Sequence, residues 1–351
     1  MVLGDLLIVR IALVILSIIL ISILIKIKAG DRIGNQLFFI GIIFWGGILI
    51  ISINPSTLDG VLNNTGLVNR SQFLFGISLI LVTYLLLLQI TKNKGLSSVF
   101  FNAIRNTAIT NFEESHKRNE NIQVLIVITA KNEEKTIGIV IDKINSHNFS
   151  FTYNILVVND GSTDKTGKVV QEKKALMIDH VYNLGIGAAV KTGLIASKIF
   201  KPEIVINIDA DGQHDPKYIP ILISKIKEGN DLVYGSRFAS QSKYHTSTTR
   251  LVGNKFYTKL VNKIAKINLT DVTSGYRAIT GEKIDSILFK SESNFAIELV
   301  LRAARNNLVI SEIPIEANTR KEGRSQFFRI ERFLIFNFNV LVQVFNVYFK
   351  K

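Results

Sequence analysis

No cysteine occurs in the chain, which excludes disulfides and thiolate-held metals without fixing a compartment. Nucleotide fingerprints are also missing. The stretch NLGIGAAVKTG, Asn183 to Gly193, is followed by no GKS or GKT at phosphate-loop spacing, and Val190 stands where a third glycine would complete a dinucleotide turn. A helix-loop-helix calcium site starting at Asp209 is excluded because His214 and Pro220 occupy the positions that need glycine and glutamate. The first hydrophobic run is interrupted by Arg10 and lacks a small-residue cleavage site after Ile25, so it is not a cleavable leader. Tryptophan is limited to Trp45.

What the chain has in excess is aliphatic residues and positive charge. Of its 351 residues, 47% are hydrophobic, and the excess is concentrated in three runs, about 6–25, 37–53 and 73–90. Each is close to the ~20 residues that cross a bilayer as a helix. Residues 1–95 are therefore expected to form a three-helix transmembrane domain. Arg10 either snorkels to the interface or meets a lipid phosphate. Lys26, Lys28 and Arg32 in the first loop, and Lys92 and Lys94 after the third run, outnumber the single Arg70 of the second loop. By the positive-inside rule the N-terminus is expected outside and everything after residue 90 in the cytosol, as a multi-pass protein of the cell membrane. The net charge of +14 lies mostly after residue 90. A chain anchored in this way is expected to meet anionic lipid and a phosphorylated substrate rather than nucleic acid.

Residues 96–121 read as a polar connector, partly helical. Beyond them, short apolar runs (Val124 to Ile128, Tyr153 to Val158, Ile204 to Ile208) alternate with helical stretches (Thr136 to Ser146, Ala188 to Phe200). That order implies a largely parallel α/β sheet whose ligands lie beyond the carboxyl ends of the strands. The third run leads into Asp209 and Asp211. Two residues apart on a strand, they face the same way and can share a hard divalent cation such as Mg or Mn. A lone DxDG at a strand end also makes an ordinary turn. After the second run, Asp160 can accept hydrogen bonds from a base or ribose, or Asp160-Gly161 is a simple turn before a capped helix. Gly185 and Gly187 can bring backbone close to a phosphate-bearing ligand, with Lys191 nearby.

Taken together, KNEE, NDGS, NLGIGAA, DADGQHDP, GSR and DVTSGYRAI resemble, in order and spacing, the motifs of glycosyltransferase family 2, within its dolichol-phosphate mannose synthase and polyprenyl-phosphate glycosyltransferase branch. The resemblance implies a GT-A nucleotide-sugar domain over 122–325, built on a mixed, largely parallel sheet. It assigns Ala130, Asn132, Glu133 and Asp160 to the nucleotide, where Gly187, Lys191 and Asp209 are also expected, and Asp209, Asp211 and Gln213 to a metal-bound diphosphate. Asp211, Arg237, Asp271 and Arg277 are expected to be catalytic, and Arg250, Ser274, Arg320 and Ser325 to hold the acceptor phosphate. Gln326 stands where the family often has lysine. The QxxRW motif of processive synthases is impossible with Trp45 alone, so a single transfer is implied. Residues 1–95 bear a weaker likeness, carried by Pro55 and Asn69-Arg70, to small three-helix membrane proteins.

The reaction expected is inverting transfer of one hexose from GDP-mannose or UDP-glucose to a polyprenyl phosphate. A glycolipid alcohol acceptor is an alternative, with Asp271 as the available base; a catalytically silent scaffold for lipid-linked sugar translocation is another, and a homo-oligomer is left open. Residues 250–267 read as an amphipathic basic helix: Phe256, Leu260 and Ile264 form a stripe extended by Val252 and Ile267, beside Lys255, Lys259, Lys263 and Lys266. It either packs on the core or lies in the membrane interface. Residues 326–351 read as a second amphipathic segment.

Overall fold

The computed structural model describes residues 2–29, 35–54, 70–116, 122–240, 242, 248–290, 295–316 and 347. The chain divides into two compact units, Met1–Gly95 and Leu96–Lys351. The first contains α1 (Val2–Ala29), α2 (Asn35–Ile53) and the start of α3 (Arg70–Ser115). Gly41 lets α1 and α2 pack closely, since a Cβ there would stand 2.7 Å from a Leu24 methyl. Among the described residues no helix is long and apolar enough to cross a membrane; the side chains described in α1 and α2 cover only 11–25 and 39–53. Pro55 and Asn69 lie outside the described residues.

The second unit is organised by β1 (Val124–Ala130), every residue of which is buried. Its side chains alternate between two cores. Leu125 and Val127 join one cluster; Val124, Ile126 and Ile128 join the other. Each face needs a helical cover. On the second face α4 (Ile137–Ser146) buries Ile137, Val140, Ile141 and Ile144, the spacing of one helical stripe. On the first face lies α6 (Ile186–Phe200), whose glycines and alanines permit close approach; a Cβ on Gly193 would collide with Val127.

Parallel pairing places β2 (Tyr153–Asn159) and β4 (Ile204–Asp209) on either side of β1. The register sets Ala130 beside Asn159 and Thr129 beside Asp209. The remaining elements are α5 (Thr166–Glu172), β3 (Leu176–Asp179), α7 (Ile219–Lys227), β5 (Leu232–Ser236), α8 (Thr248–Ala265), β6 (Arg277–Thr280), α9 (Ile284–Ile287), α10 (Phe295–Arg305) and β7 (Ile310–Pro314). Among the described residues seven strands form one sheet, in the order β3-β2-β1-β4-β6-β5-β7. Only β6 is antiparallel to its neighbours β4 and β5. Its first residue, Arg277, therefore comes to the edge where the neighbouring strands end.

Two sequence readings need correction. Residues 96–115 are not a connector but the last part of α3, because Ala108 and Phe112 are buried in the first core and Phe112 lies 5.9 Å from the ring of Phe200. In α8 the buried positions include Asn254, Tyr257, Thr258 and Val261, whereas Phe256 is exposed. Leu260 and Ile264 only border the core, and the helix ends before Ile267 because Lys266 is left-handed (φ 55°).

Candidate active site

At the carboxyl edge of the sheet, the loops after β1 and β2 brace each other. The backbone amides of Asn132 and Glu133 donate to the hydroxyls of Ser162 (2.9 Å) and Thr166 (2.8 Å), and Asn132 Oδ1 accepts from the Thr163 amide (2.8 Å). Glu133 Oε2 accepts from Thr136 Oγ1 (2.7 Å). Asn132 has φ 52°, a backbone state asparagine tolerates better than most residues. Ala130 is buried, its carbonyl accepting from the Asp160 amide (2.8 Å).

Asp160 is buried and turned inward. Its carboxylate accepts from His180 Nδ1 (2.8 Å) and from the amides of Leu184 (2.9 Å) and Gly185 (2.8 Å). It therefore holds the NLGIG loop, and Gly185, at φ 94°, opens α6 directly from that loop. The turn after β2 lies so close that a Cβ on Gly161 would stand 2.5 Å from the Asn183 nitrogen. Gly187 is buried in the first turn of α6. Lys191, one turn further on, places Nζ 5.9 Å from the Phe289 ring centre.

Asp209 ends β4 with its side chain 27% exposed. Thr129 Oγ1 donates to its Oδ1 at 3.5 Å. Asp211 Oδ1 accepts from the Gln213 amide (3.0 Å), which fixes the turn carrying all three candidate ligands. Gly275 backs the cradle: a Cβ there would collide with Asp209 Oδ2. Among the described residues no group of three His, Cys, Asp or Glu side chains could hold a metal ion. Two carboxylates and one amide nonetheless fit a hard cation that keeps waters or substrate phosphate as its other ligands. Gly275→Ala should accordingly move the Asp209 carboxylate and weaken Mn binding several-fold with little change in melting temperature. Paramagnetic broadening or calorimetric titration with Mn would measure it, and unchanged affinity would show that Asp209 is not held by this contact.

Next to these lies His214, which sequence reasoning did not assign. It is buried, stacked on Tyr276 (5.1 Å between ring centres), with Nδ1 3.8 Å from Asp209 Oδ2. Burial pushes its imidazole down to about 4; Asp211 and Asp271 oppose that shift, while Arg237 and Arg277 add to it. The ring is therefore neutral at pH 7, surrounded by charges of both signs.

Asp271 is fully buried and saturated. It accepts from Arg237 Nε (2.7 Å), Arg237 Nη2 (3.0 Å) and Asn254 Nδ2 (2.9 Å), and also from Thr273. Burial alone would raise its carboxyl, but the Arg237 guanidinium and the Asn254 amide outweigh that and hold it below the ordinary value. Asp271 thus fixes the guanidinium of Arg237 through a two-point contact. Ser274 donates to the Gly235 carbonyl (2.7 Å) and is buried, so it ties β5 to the DVTSGYR loop. The side chain of Arg250, and all of Arg320 and Ser325, lie outside the described residues.

Arg277 departs from this pattern of satisfaction. It is fully buried, and none of its three guanidinium nitrogens meets a hydrogen-bond partner among the described residues. Its cation lies over the rings of Phe295 (5.3 Å) and Tyr234 (5.8 Å). The Tyr234 hydroxyl, pushed up to about 12 mainly by burial, feels the guanidinium charge, which opposes that shift. Cation–π contacts orient such a group without using its N–H donors.

The sequence model of glycosyl transferase family 2 matches residues 125–288. The chain is 30% identical over 215 residues to the UDP-N-acetylglucosamine–dolichyl-phosphate N-acetylglucosaminyltransferase of Methanococcus voltae, covering 55% of this chain and 84% of that protein. It is 28% identical over 215 residues to the polyprenol monophosphomannose synthase of Mycolicibacterium smegmatis, covering 58% and 80%. Among solved structures, glucosyl-3-phosphoglycerate synthase from Mycobacterium tuberculosis, in complex with Mn2+, UDP and glucosyl-3-phosphoglycerate, superposes with a TM-score of 0.51 at 20% identity, covering 68% of this chain and 83% of that one. The class is therefore that of a glycosyltransferase with a GT-A-like α/β fold. More narrowly, the chain belongs to glycosyl transferase family 2.

Proposed function

We propose that this enzyme transfers one hexose, with inversion, from a nucleotide sugar of the GDP-mannose or UDP-glucose kind to a polyprenyl phosphate at the cytosolic membrane face. The observation that carries the reading is the buried, hydrogen-bond-poor guanidinium of Arg277 at the edge that also bears Arg237, Asp209 and Asp211. An unpaired buried cation costs several kcal/mol, and a substrate oxyanion offsets that cost. The names of the two relatives support a polyprenyl-type acceptor. The Mn2+ and UDP in the structural neighbour accord with a divalent cation and a nucleotide donor.

Asp209, Asp211 and Gln213 would hold Mg or Mn, which when bound supplies Lewis-acid stabilisation of the departing diphosphate. The acceptor phosphate oxygen attacks the anomeric carbon as the bond to the diphosphate breaks, and the nucleoside diphosphate leaves with the electron pair. A phosphate monoester, with a second pKa of about 6, is already largely ionised at pH 7. It needs no proton acceptor, which accords with the saturation of Asp271. A glycolipid alcohol would need one. Arg277 and Arg237 keep the anionic nucleophile beside the anionic donor.

The membrane reading rests on the apolar runs. Ile11, Ile15, Ile18, Ile19 and Ile23 of α1, and Ile43, Ile50 and Ile53 of α2, are exposed, a surface suited to lipid. On this reading the N-terminus is outside, the catalytic unit is cytosolic, and exposed Phe256, Lys255 and Lys259 of α8 meet headgroups.

Membranes containing the full chain, supplied with polyprenyl phosphate and either labelled GDP-mannose or labelled UDP-glucose, should yield a labelled lipid that mild acid hydrolyses. A label stable to mild acid would identify an alcohol acceptor. No labelled lipid with either donor would overturn the proposal.

A further inference from the structure

Helix α3 enters the second unit outside the region matched by the family, residues 125–288, and there it carries a buried arginine, Arg105. Packing alone does not call for one, since an aliphatic residue covers a neighbouring helix without the desolvation cost. Arg105 Nη1 donates to Asn102 Oδ1 (2.7 Å) and Nε donates to Thr192 Oγ1 (3.3 Å). Thr192, on α6, lies 3.0 Å from His180 Nε2, and His180 Nδ1 is 2.8 Å from Asp160 Oδ1. Asp160 in turn holds the amides of Leu184 and Gly185. All four side chains of this relay are buried. A second contact reaches the same loop from outside, where the ring of Phe100 lies 6.1 Å from that of Tyr182.

We infer that Arg105 is a positioning residue for the 182–187 loop, acting through Thr192, His180 and Asp160, and that α3 thereby sets the shape of the donor-nucleotide pocket. The inference deepens the nucleotide-sugar reading and rests on it for the identity of the ligand, but not for the relay itself. A chain of buried hydrogen bonds is cooperative, so the loss of any link loosens the far end.

The test uses the full-length protein with Arg105→Met, Thr192→Val, the double variant and, as a surface change that leaves the core intact, Phe100→Ala. Amide hydrogen exchange is followed in residues 181–187 and, as reference, in β6; dissociation constants are measured for UDP and GDP. Each buried variant should speed exchange in 181–187 about tenfold, the equivalent of one net hydrogen bond, with β6 unchanged. Each should also weaken the bound nucleotide by a similar factor, raising donor KM more than it lowers turnover. The double variant should be no worse than the worse single variant, as for two links of one relay. Phe100→Ala should show the same local effect, about threefold, and decides the matter if Arg105→Met does not fold. Unchanged exchange in 181–187, an equal rise in β6, or multiplicative losses in the double variant would overturn the inference. If the wild type binds neither UDP nor GDP, the donor reading fails while the exchange data still decide the relay.

Discussion

Asp209→Asn and Asp211→Asn are each expected to lower turnover by ~10²-fold or more, the usual cost of removing one charged contact where leaving-group charge develops. Asp209 is braced by Thr129 and crowded by Gly275, and Asp211 accepts from the Gln213 amide. Asparagine keeps an accepting oxygen at either position, so each variant chiefly loses charge and an accepting lone pair toward the cation. Mn affinity should therefore fall in both, by similar factors. Turnover near the wild-type level in either variant, or in EDTA, would remove the cation from the proposal.

Arg277→Met should separate stability from activity more sharply than any other substitution. The guanidinium has no hydrogen-bond partner among the described residues and is held against Phe295 and Tyr234. Methionine fills similar space without the desolvation penalty, and replacing a buried charge by a well-packed apolar residue is often stabilising by about 1–4 kcal/mol. The melting temperature should rise by several degrees, with transfer reduced ~10²-fold or more and nucleotide affinity changed far less. Arg277→Lys should recover part of the transfer, because a point charge replaces the fork without its geometry. A fall in melting temperature for Arg277→Met, or equal losses of donor affinity and turnover, would make this arginine a structural cation instead.

How far the site was legible depended on the distance between partners in the chain. Asp209 and Asp211 could be found because strand periodicity and the following turn are local. Asp271 could be found as a residue type but not as a role: read alone it is a candidate base, and only the bidentate contact with Arg237, 34 residues away, shows its lone pairs to be occupied. Asp160 likewise could be found as a residue type, but its contacts with His180 and two amides arise only in the folded chain. His180, His214 and Gly275 carried no signal of their own, since an isolated histidine or glycine has many uses. The mixed charge of residues 96–115 concealed a buried face whose partners lie on α6, 87 residues beyond Arg105 in the case of Thr192.

By itself the sequence determined the strands β1, β2 and β4, the alternation with helices, the carboxylate pair and the loop glycines. These depend on side-chain periodicity and backbone freedom, which neighbouring residues specify. Only the tertiary structure decided that β6 runs against its neighbours, setting Arg277 opposite Asn207 and Tyr234, and which buried polar groups find partners. Strand direction and hydrogen-bond partnership arise between segments far apart in the chain, where one face must be buried and every buried donor must find an acceptor.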